Sequence, residues 1–203
     1  MNIENLTSER ALEIRSSVKF KYREVALKPE GHFPYPIGKE SALNLGYDPS
    51  WLESVPIETV NRFVGVGNPF GIRIPKSGEC VLDAGCGCGL DAFVAALLVG
   101  QKGWVSGIDL TAEMLVLPRS VSSKFVQKNI EFLEASIEAI PFEDATFDLI
   151  ISNGVINLIP DKKAAFTELA RVLRPEGSLV SIDLLVTEEI PPEVLASKDA
   201  WST

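Results

Sequence analysis

Three glycines at alternating positions, Gly85, Gly87 and Gly89, follow a short apolar run that ends in Asp83. Glycine lets the backbone turn tightly and lets a ligand approach the main chain without a Cβ in the way. The apolar stretch 93–99 that comes next is typical of a helix, whose first amide groups would face such a ligand. We therefore expect Asp83 and the three glycines to form a ligand-binding turn.

A second acid completes this pattern. The β-type run 104–108 ends in Asp109, about twenty residues past the glycines, which is the usual position of a ribose-binding acid. The order strand, glycine turn, helix, strand and acid is the first half of a nucleotide-binding α/β unit. A carboxylate at the tip of the second strand can accept hydrogen bonds from both ribose hydroxyls. The stretch 79–109 thus predicts a site for an adenosine-containing ligand.

The glycine spacing distinguishes between adenosine ligands. The dinucleotide fingerprint G-x-G-x-x-G would need a third glycine at the position of Leu90, so an NAD-dependent dehydrogenase is the less favoured alternative. The carboxylate of Asp83 adds negative potential, which suits a cationic ligand better than a pyrophosphate. S-adenosylmethionine carries an ammonium and a sulfonium and no phosphate. The stretch VLDAGCGCG resembles the glycine motif of class I S-adenosylmethionine-dependent methyltransferases, acid-x-G-x-G-x-G.

Composition excludes several classes of partner. The 203-residue chain has 19 Lys plus Arg against 28 Asp plus Glu, a formal net charge of −9 that would repel nucleic-acid phosphates. It has no apolar run near the ~18 residues that a membrane helix needs, and no signal segment opens it. We expect a soluble, cytoplasmic protein with a small-molecule substrate and neither a nucleic-acid nor a membrane partner.

The cysteines do not predict a metal site. Cys80, Cys86 and Cys88 all lie within the glycine motif, and the only histidine, His32, is distant in sequence. A disulfide between Cys86 and Cys88 would fit badly in a turn. We interpret them as small side chains that fit beside the ligand, and include Cys86 in the predicted cofactor site.

Alternating strand and helix patterns from residue 79 onward predict an α/β fold with a doubly wound, mostly parallel, Rossmann-like sheet. Before it we expect an amphipathic helix over residues 1–28, an ordered loop over 29–50 and a helix over 51–64. A helix capped by Thr111 should begin at Ala112. A turn at 174–177 should lead into a fifth strand at 178–184.

The domain boundaries follow from these patterns. We expect an N-terminal helical and loop extension over 1–70 and an S-adenosylmethionine-binding domain over 71–203. Residues 186–203 show a short helical pattern with two prolines and no strand pair. We therefore expect that the chain is a C-terminally truncated fragment, or that a second copy covers the open sheet edge in a homodimer.

The fold also predicts which side chains line the crevice at the carboxyl ends of the strands. Leu110 and Met114 can cover the adenine, and Ser136, Ile137 and Glu138 are placed to meet its edge. Asn153 and Gly154, at the end of the fourth strand, can offer backbone groups to the ligand's ammonium. The alternatives left open are ordinary core positions for Met114 and Ile137 and a solvated acid for Glu138.

Later segments resemble one family in particular. Residues 152–162, S-N-G-V-I-N-L-I-P-D-K, are similar to the S-N-C-V-I-N-L-x-x-D-K signature of arsenite methyltransferases. The sequence G-I-D-L-T at 107–111 resembles their G-I-D-M-T, and R-V-L-R-P at 171–175 their R-V-L-K-P. The tail Ile190-Pro191-Pro192-Glu193, with Lys198 and Trp201, follows their pattern too. Tyr22 falls near the tyrosine pair of their N-terminal helix, which the resemblance places at the cofactor, although Arg23 replaces the second tyrosine.

The chain departs from that family where arsenic would bind. The resemblance implies cysteines at the positions of Val66 and Gly154, and a third just after Thr203. Neither valine nor glycine can ligate arsenic. We therefore predict methyl transfer from S-adenosylmethionine, with S-adenosylhomocysteine as product, to an unidentified small molecule. The alternatives are arsenite methylation with thiols from elsewhere and a non-catalytic cofactor-binding or assembly protein.

No catalytic base stands out in the sequence. His32, Tyr35 and Asp48 are the candidates, and we interpret each as a structural residue.

Overall fold

Five parallel strands form one sheet in the order β3-β2-β1-β4-β5 in a computed structural model, which describes residues 7–185. The strands are β1 (Cys80–Ala84), β2 (Trp104–Asp109), β3 (Ile130–Glu134), β4 (Phe147–Asn153) and β5 (Leu173–Ile182). The helices are α1 (Ser8–Leu27), α2 (Gly38–Asn44), α3 (Pro49–Ser54), α4 (Ile57–Asn61), α5 (Leu90–Val99), α6 (Val116–Ser122) and α7 (Lys162–Val172). The predicted doubly wound α/β fold is confirmed.

Apolar side chains cover both faces of the sheet. On one face a core cluster includes Val81, Phe93 and Leu149, with α5 packed against the strands. On the other face a second cluster includes Leu82, Ile150 and Leu169, with α7 packed against them. Successive strand residues point to opposite faces, so a near-continuous apolar run such as Phe147–Asn153 is required where both faces are covered.

The N-terminal helix predicted over residues 1–28 is present as Ser8–Leu27. Thr7 is the N-cap, and its hydroxyl accepts a hydrogen bond from the Arg10 backbone N–H at 3.3 Å. The helix α1 then buries Ile14, Val18 and Val25.

Two predictions before the sheet were wrong. The loop expected over 29–50 contains α2, because the run Lys39-Glu40-Ser41-Ala42-Leu43 favours a helix more than its Pro- and Gly-rich surroundings suggest. The single helix expected over 51–64 is split into α3 and α4. Val55 precedes Pro56 and is extended (φ −109°, ψ 163°), since a following proline disfavours the helical region.

Two element boundaries in the sheet domain also differ. The helix expected to begin at Ala112 begins at Val116, after a turn. The later start is caused by Pro118, which has no N–H to donate to the Met114 carbonyl and is therefore tolerated only in the first turn of a helix. The strand expected from residue 178 begins at Leu173, opposite Phe147, and 174–177 form a bulge before the pairing resumes.

Other predictions are not tested by the fold. Those for residues 186–203, including the tail similarity, lie outside the described residues, as does the part of the first predicted helix before Thr7. The boundary at residue 70/71 and the homodimer stay predictions. Between residues 7 and 185, no helix has the length and apolar character needed to cross a membrane.

Candidate functional site

A cleft of about 810 Å³, counting the space open to solvent, lies at the carboxyl ends of the central strands. Most of the predicted site residues line it: Tyr22, Gly85, Gly87, Asp109, Leu110, Met114, Ser136, Ile137, Glu138, Asn153 and Gly154. Asp83, Cys86 and Gly89 do not form part of its wall. The fold therefore brings together residues that are up to 132 positions apart in the chain (Tyr22 to Gly154).

The glycine turn is held in a conformation that other residues rarely adopt. Gly85, Gly87 and Gly89 have φ values of 83°, 51° and 88°. A Cβ at Gly85 would lie 2.5 Å from both Cγ atoms of Val155. The N–H groups of Gly85 and Cys86 donate to the Ile108 carbonyl at 2.8 Å, which fastens the turn to β2.

Asp109 ends β2, and its carboxylate is fixed by the main chain. The Gly87 N–H donates to Oδ2 at 2.9 Å and the Thr111 N–H donates to Oδ1 at 2.8 Å. A carboxylate has about four acceptor positions, so each oxygen can still accept another hydrogen bond. Burial raises the pKa of Asp109 to about 6, although the two backbone N–H donors act in the opposite direction and lower it. The side chain is thus ionised at neutral pH and aimed at the cleft.

Asp83 lies beneath the turn rather than at the cleft surface. It is 2% exposed and sits within β1, between Gly107 and Ile151 of the neighbouring strands. In the described part of the chain its Oδ2 has no hydrogen-bond partner. Burial, with the nearby carboxylates of Asp91 and Asp109, raises its pKa well above the ordinary value. Its predicted contact with a ligand stays a prediction.

The buried position of Cys86 has a packing consequence. A Cβ on Gly107 would lie 2.8 Å from the Phe132 ring and 3.0 Å from the Cys86 Sγ, and these two contacts explain the small residue there. Burial raises the pKa of the Cys86 thiol well above its usual range and that of the Cys88 thiol to about 12. Both thiols are therefore protonated at neutral pH, and poor nucleophiles and metal ligands.

A buried polar network behind the cleft was missed by the sequence analysis. The Asn153 Nδ2 donates to Asp91 Oδ2 at 2.9 Å, and the Tyr47 hydroxyl donates to Asp91 Oδ1 at 2.5 Å. Asn153 Oδ1 accepts from the backbone N–H groups of Val66 and Gly67 at 2.9 and 3.1 Å. The one available signal was Asp91 itself, an acid in the apolar run that follows the glycines.

This network places the turn 65–67 beside the end of β4. A Cβ built on Gly154, which has a φ of 75°, would lie 3.4 Å from both Cγ atoms of Val66. The two positions matched to arsenic-ligating cysteines are therefore neighbours in space. Among the described residues, no group of three or more histidine, cysteine or acidic side chains is arranged to hold a metal ion.

The helix α1 contributes one wall of the cleft. Tyr22 lines it, and burial raises the pKa of its phenol, which stays neutral at neutral pH. Arg15, which the sequence analysis did not single out, also lines the cleft and pairs with Glu138 at 2.7 Å. Arg15 is the only cationic side chain in the described wall, and it is neutralised by this pair.

The candidate bases named from sequence do not line the cleft. Asp48 caps α3 through the Ser50 N–H, and Tyr35 packs against Phe33 with ring centroids 5.3 Å apart. His32 lies in the same loop and is not part of the cleft wall. Asp48 therefore has a structural role, and the interpretation of His32 and Tyr35 as structural residues stays a prediction.

The residues present fit an adenosine ligand without phosphates. Glycines leave room at the turn, Asp109 offers free acceptor positions, and no unpaired cation in the described wall would neutralise a pyrophosphate. Together with strand order 3-2-1-4-5, these features define the class I methyltransferase fold.

Comparisons with known proteins agree with this assignment of the fold. The chain belongs to a family of methyltransferase domains, which matches residues 75–202. It is 38% identical over 156 residues to the arsenite methyltransferase of Halobacterium salinarum, covering 77% of this chain and 40% of that one. The human arsenite methyltransferase is 34% identical over 161 residues, covering 74% of this chain and 42% of that one. The crystal structure of an arsenic(III) S-adenosylmethionine methyltransferase from Chlamydomonas reinhardtii matches with a TM-score of 0.59 at 36% identity, over 80% of this chain and 54% of that one.

The chain is therefore an S-adenosylmethionine-dependent methyltransferase domain related to arsenite methyltransferases. It spans about two-fifths of the length of these curated relatives.

Proposed function

We propose that this domain binds S-adenosylmethionine in the cleft and transfers its methyl group to a small-molecule acceptor other than arsenite. The observation that carries the proposal is the Asp109 carboxylate, held at the cleft by the N–H groups of Gly87 and Thr111 with acceptor positions to spare. A charged acceptor fixed in this way suits a ribose diol, because hydrogen bonds to ionised groups are the stronger ones.

Each part of the cleft has a proposed role. Asp109 accepts the ribose hydroxyls, and Gly85 and Gly87 let the ligand approach the main chain. Leu110 and Met114 supply an apolar surface for the adenine. We assign the amino-acid part of the cofactor to the end of the cleft formed by Asn153 and Gly154. Below it lies Asp83, whose Oδ2 has no hydrogen-bond partner among the described residues. Cys86 and Gly89 support the turn from behind. Ser136 and Ile137 would meet the adenine edge. When bound, the cofactor supplies a methyl group activated by a sulfonium.

Calorimetric titration tests the cofactor. We expect S-adenosylhomocysteine to bind in the micromolar range or tighter and NAD to bind at least tenfold more weakly, since the described wall offers no unpaired cation for a pyrophosphate. Tighter binding of NAD would overturn the proposal.

The acceptor side argues against a thiolate arsenic site. Positions 66 and 154 are neighbours, as two metalloid ligands must be, but valine and glycine carry no ligating atom. Cys86 and Cys88 are buried beneath the cofactor turn, and Cys80 opens β1 at the opposite end of the strand. These three are all the cysteines in the sequence.

Arsenite methylation is the second candidate, favoured by the names of the relatives. The two candidates differ in trivalent arsenic binding by the purified chain. We expect weak binding at most, and no methylated arsenic when cofactor and glutathione are added. Tight binding that persists after Cys86→Ser and Cys88→Ser would favour the second candidate.

A further inference from the structure

Three basic side chains of α1 form a row of ion pairs with the sheet domain. Arg15, Lys19 and Arg23 are spaced by four residues, so they follow one another along the same side of the helix. Each pairs with a glutamate from a different segment: Glu138 at 2.7 Å, Glu134 at 3.0 Å and Glu113 at 3.2 Å. The row therefore ties the helix to the segments around β3 and to the turn that follows β2.

The pair of Arg15 with Glu138 is the strongest of the three. Its side chains are 32% and 11% exposed, whereas those of Lys19 and Glu134 are 45% and 47% exposed. It is also bidentate, with Nε and Nη2 donating to separate carboxylate oxygens at 2.7 and 2.8 Å. Exposed pairs are screened by solvent and contribute little. The contact at Glu138 thus dominates the attachment of this side of α1.

Glu138 has little acceptor capacity left for a ligand. Besides the two bonds from Arg15, its Oε2 accepts from the Ser136 hydroxyl at 3.3 Å and its Oε1 accepts from the Asp161 N–H at 3.2 Å. Its sequence-based role at the adenine edge would require breaking one of these contacts. The geometry instead directs its charge to the helix.

Arg15 stands on the cleft-facing side of α1. Val18 and Tyr22, one and two turns further along, also line the cleft. We propose that Arg15 and Glu138 are positioning residues that clasp α1 over the cofactor cleft, hold Tyr22 against the bound cofactor and slow its release. This inference rests on the proposed cofactor site.

The helix has other attachments, so the clasp can be removed without unfolding the protein. Ile14 is 1% exposed and Val25 is 2% exposed, so both stay in the core without the ion pair. Near the C-terminal end of α1, the Arg62 guanidinium donates to the Ala26 carbonyl. Loss of the clasp should therefore change the rate at which the cleft opens more than the stability of the fold.

The test measures the dissociation rate of radiolabelled S-adenosylhomocysteine, a ligand of zero net charge, by dilution into unlabelled ligand. We expect Glu138→Gln to raise this rate about tenfold, equivalent to ~1.4 kcal/mol, with the association rate changed less. Arg15→Lys, which keeps the positive charge but cannot make the bidentate contact of the guanidinium, should give an intermediate dissociation rate. The charge swap Arg15→Glu with Glu138→Arg should return the rate to within about threefold of the wild type.

Glu13→Gln is the matched control, because the Glu13 side chain pairs with Arg10 on the same helix at 2.8 Å. Its release rate should equal that of the wild type. Equal release rates for Glu138→Gln and Glu13→Gln, with ligand bound, would refute the clasp and leave the cofactor site intact. A wild-type protein that does not bind the ligand at all would refute the proposed function, and the clasp with it.

Discussion

Asn153 should contribute more to stability than its place at a strand end suggests. Its side chain lies within hydrogen-bonding distance of five atoms of Val66, Gly67, Asp91 and Tyr47, and its two N–H groups and one oxygen can make four hydrogen bonds at once. Asn153→Ala removes all of them and leaves two turn N–H groups and one buried carboxylate oxygen without this partner. The turn 65–67 then loses the bonds that hold it beside the end of β4.

The expected cost follows from the kinds of bond that are lost. A neutral hydrogen bond contributes about 0.5–1.5 kcal/mol and one to a charged group about 1.5–3 kcal/mol. Asn153 is half-buried, so water can replace part of what is removed. We therefore expect the free energy of unfolding to fall by about 3 kcal/mol. For a chain of this size that corresponds to a decrease in Tm of about 6–12 °C.

Urea and thermal unfolding followed by circular dichroism measure this effect. Asn68→Ala is the matched control: that asparagine accepts from the Phe70 N–H and donates to the Gly46 carbonyl at the surface, so its loss should cost about 1 kcal/mol or less. The reasoning is refuted if Asn153→Ala lowers the free energy of unfolding no more than Asn68→Ala does, because the network would then contribute no more to stability than a surface hydrogen bond.

Three further changes test other parts of the site. The Kd for S-adenosylhomocysteine should rise about tenfold from pH 7 to pH 5, because the Asp109 carboxylate, with a pKa of about 6, must be ionised to accept the ribose hydroxyls. In calorimetry the Kd of Asp109→Asn should not change with pH. A wild-type Kd that does not change with pH would contradict this prediction. Gly85→Ala should lower the free energy of unfolding by about 2–4 kcal/mol, because residue 85 has a positive φ and the new Cβ would clash with Val155. In urea unfolding, adding Val155→Ala should recover about half of that loss. No recovery would mean that the clash is not the cause. Val66→Cys with Gly154→Cys should create measurable affinity for trivalent arsenic, and unchanged affinity would show that the two side chains do not converge.

The sheet could be predicted because its signals are local. Apolar runs bounded by glycines and acids mark β1, β2 and β4, and a parallel arrangement follows from the helices between them. The short helices were harder. Only seven residues form α2, so the helical propensity of that stretch competes with prolines and glycines on both sides, and the Pro-rich composition favours a loop. The split at Pro56 depends on the extended conformation of a single residue, Val55.

The residues of the site also include some that local sequence patterns predict and others that they do not. The glycine turn and Asp109 follow one another within one strand-helix-strand unit, so their spacing alone indicated a ligand site. The hydrogen bond between Tyr47 and Asp91 joins residues 44 apart, and the pair of Arg15 with Glu138 joins residues 123 apart. Such contacts depend on how separate elements pack, which no local pattern encodes. The burial of Asp83 beneath the turn likewise depends on the packing of the strands, and its contact with a ligand stays a prediction.

The central claim is that the Asp109 carboxylate accepts the ribose hydroxyls of an S-adenosyl ligand. A cycle of titrations tests it directly, with wild type and Asp109→Ala each titrated with S-adenosylhomocysteine and with its 2′,3′-dideoxy analogue. We predict that Asp109→Ala weakens binding of the natural ligand by about 1.5–3 kcal/mol, and that the analogue binds both proteins with nearly equal affinity. Equal losses for the two ligands, or an unchanged affinity in a folded Asp109→Ala protein, would contradict the account.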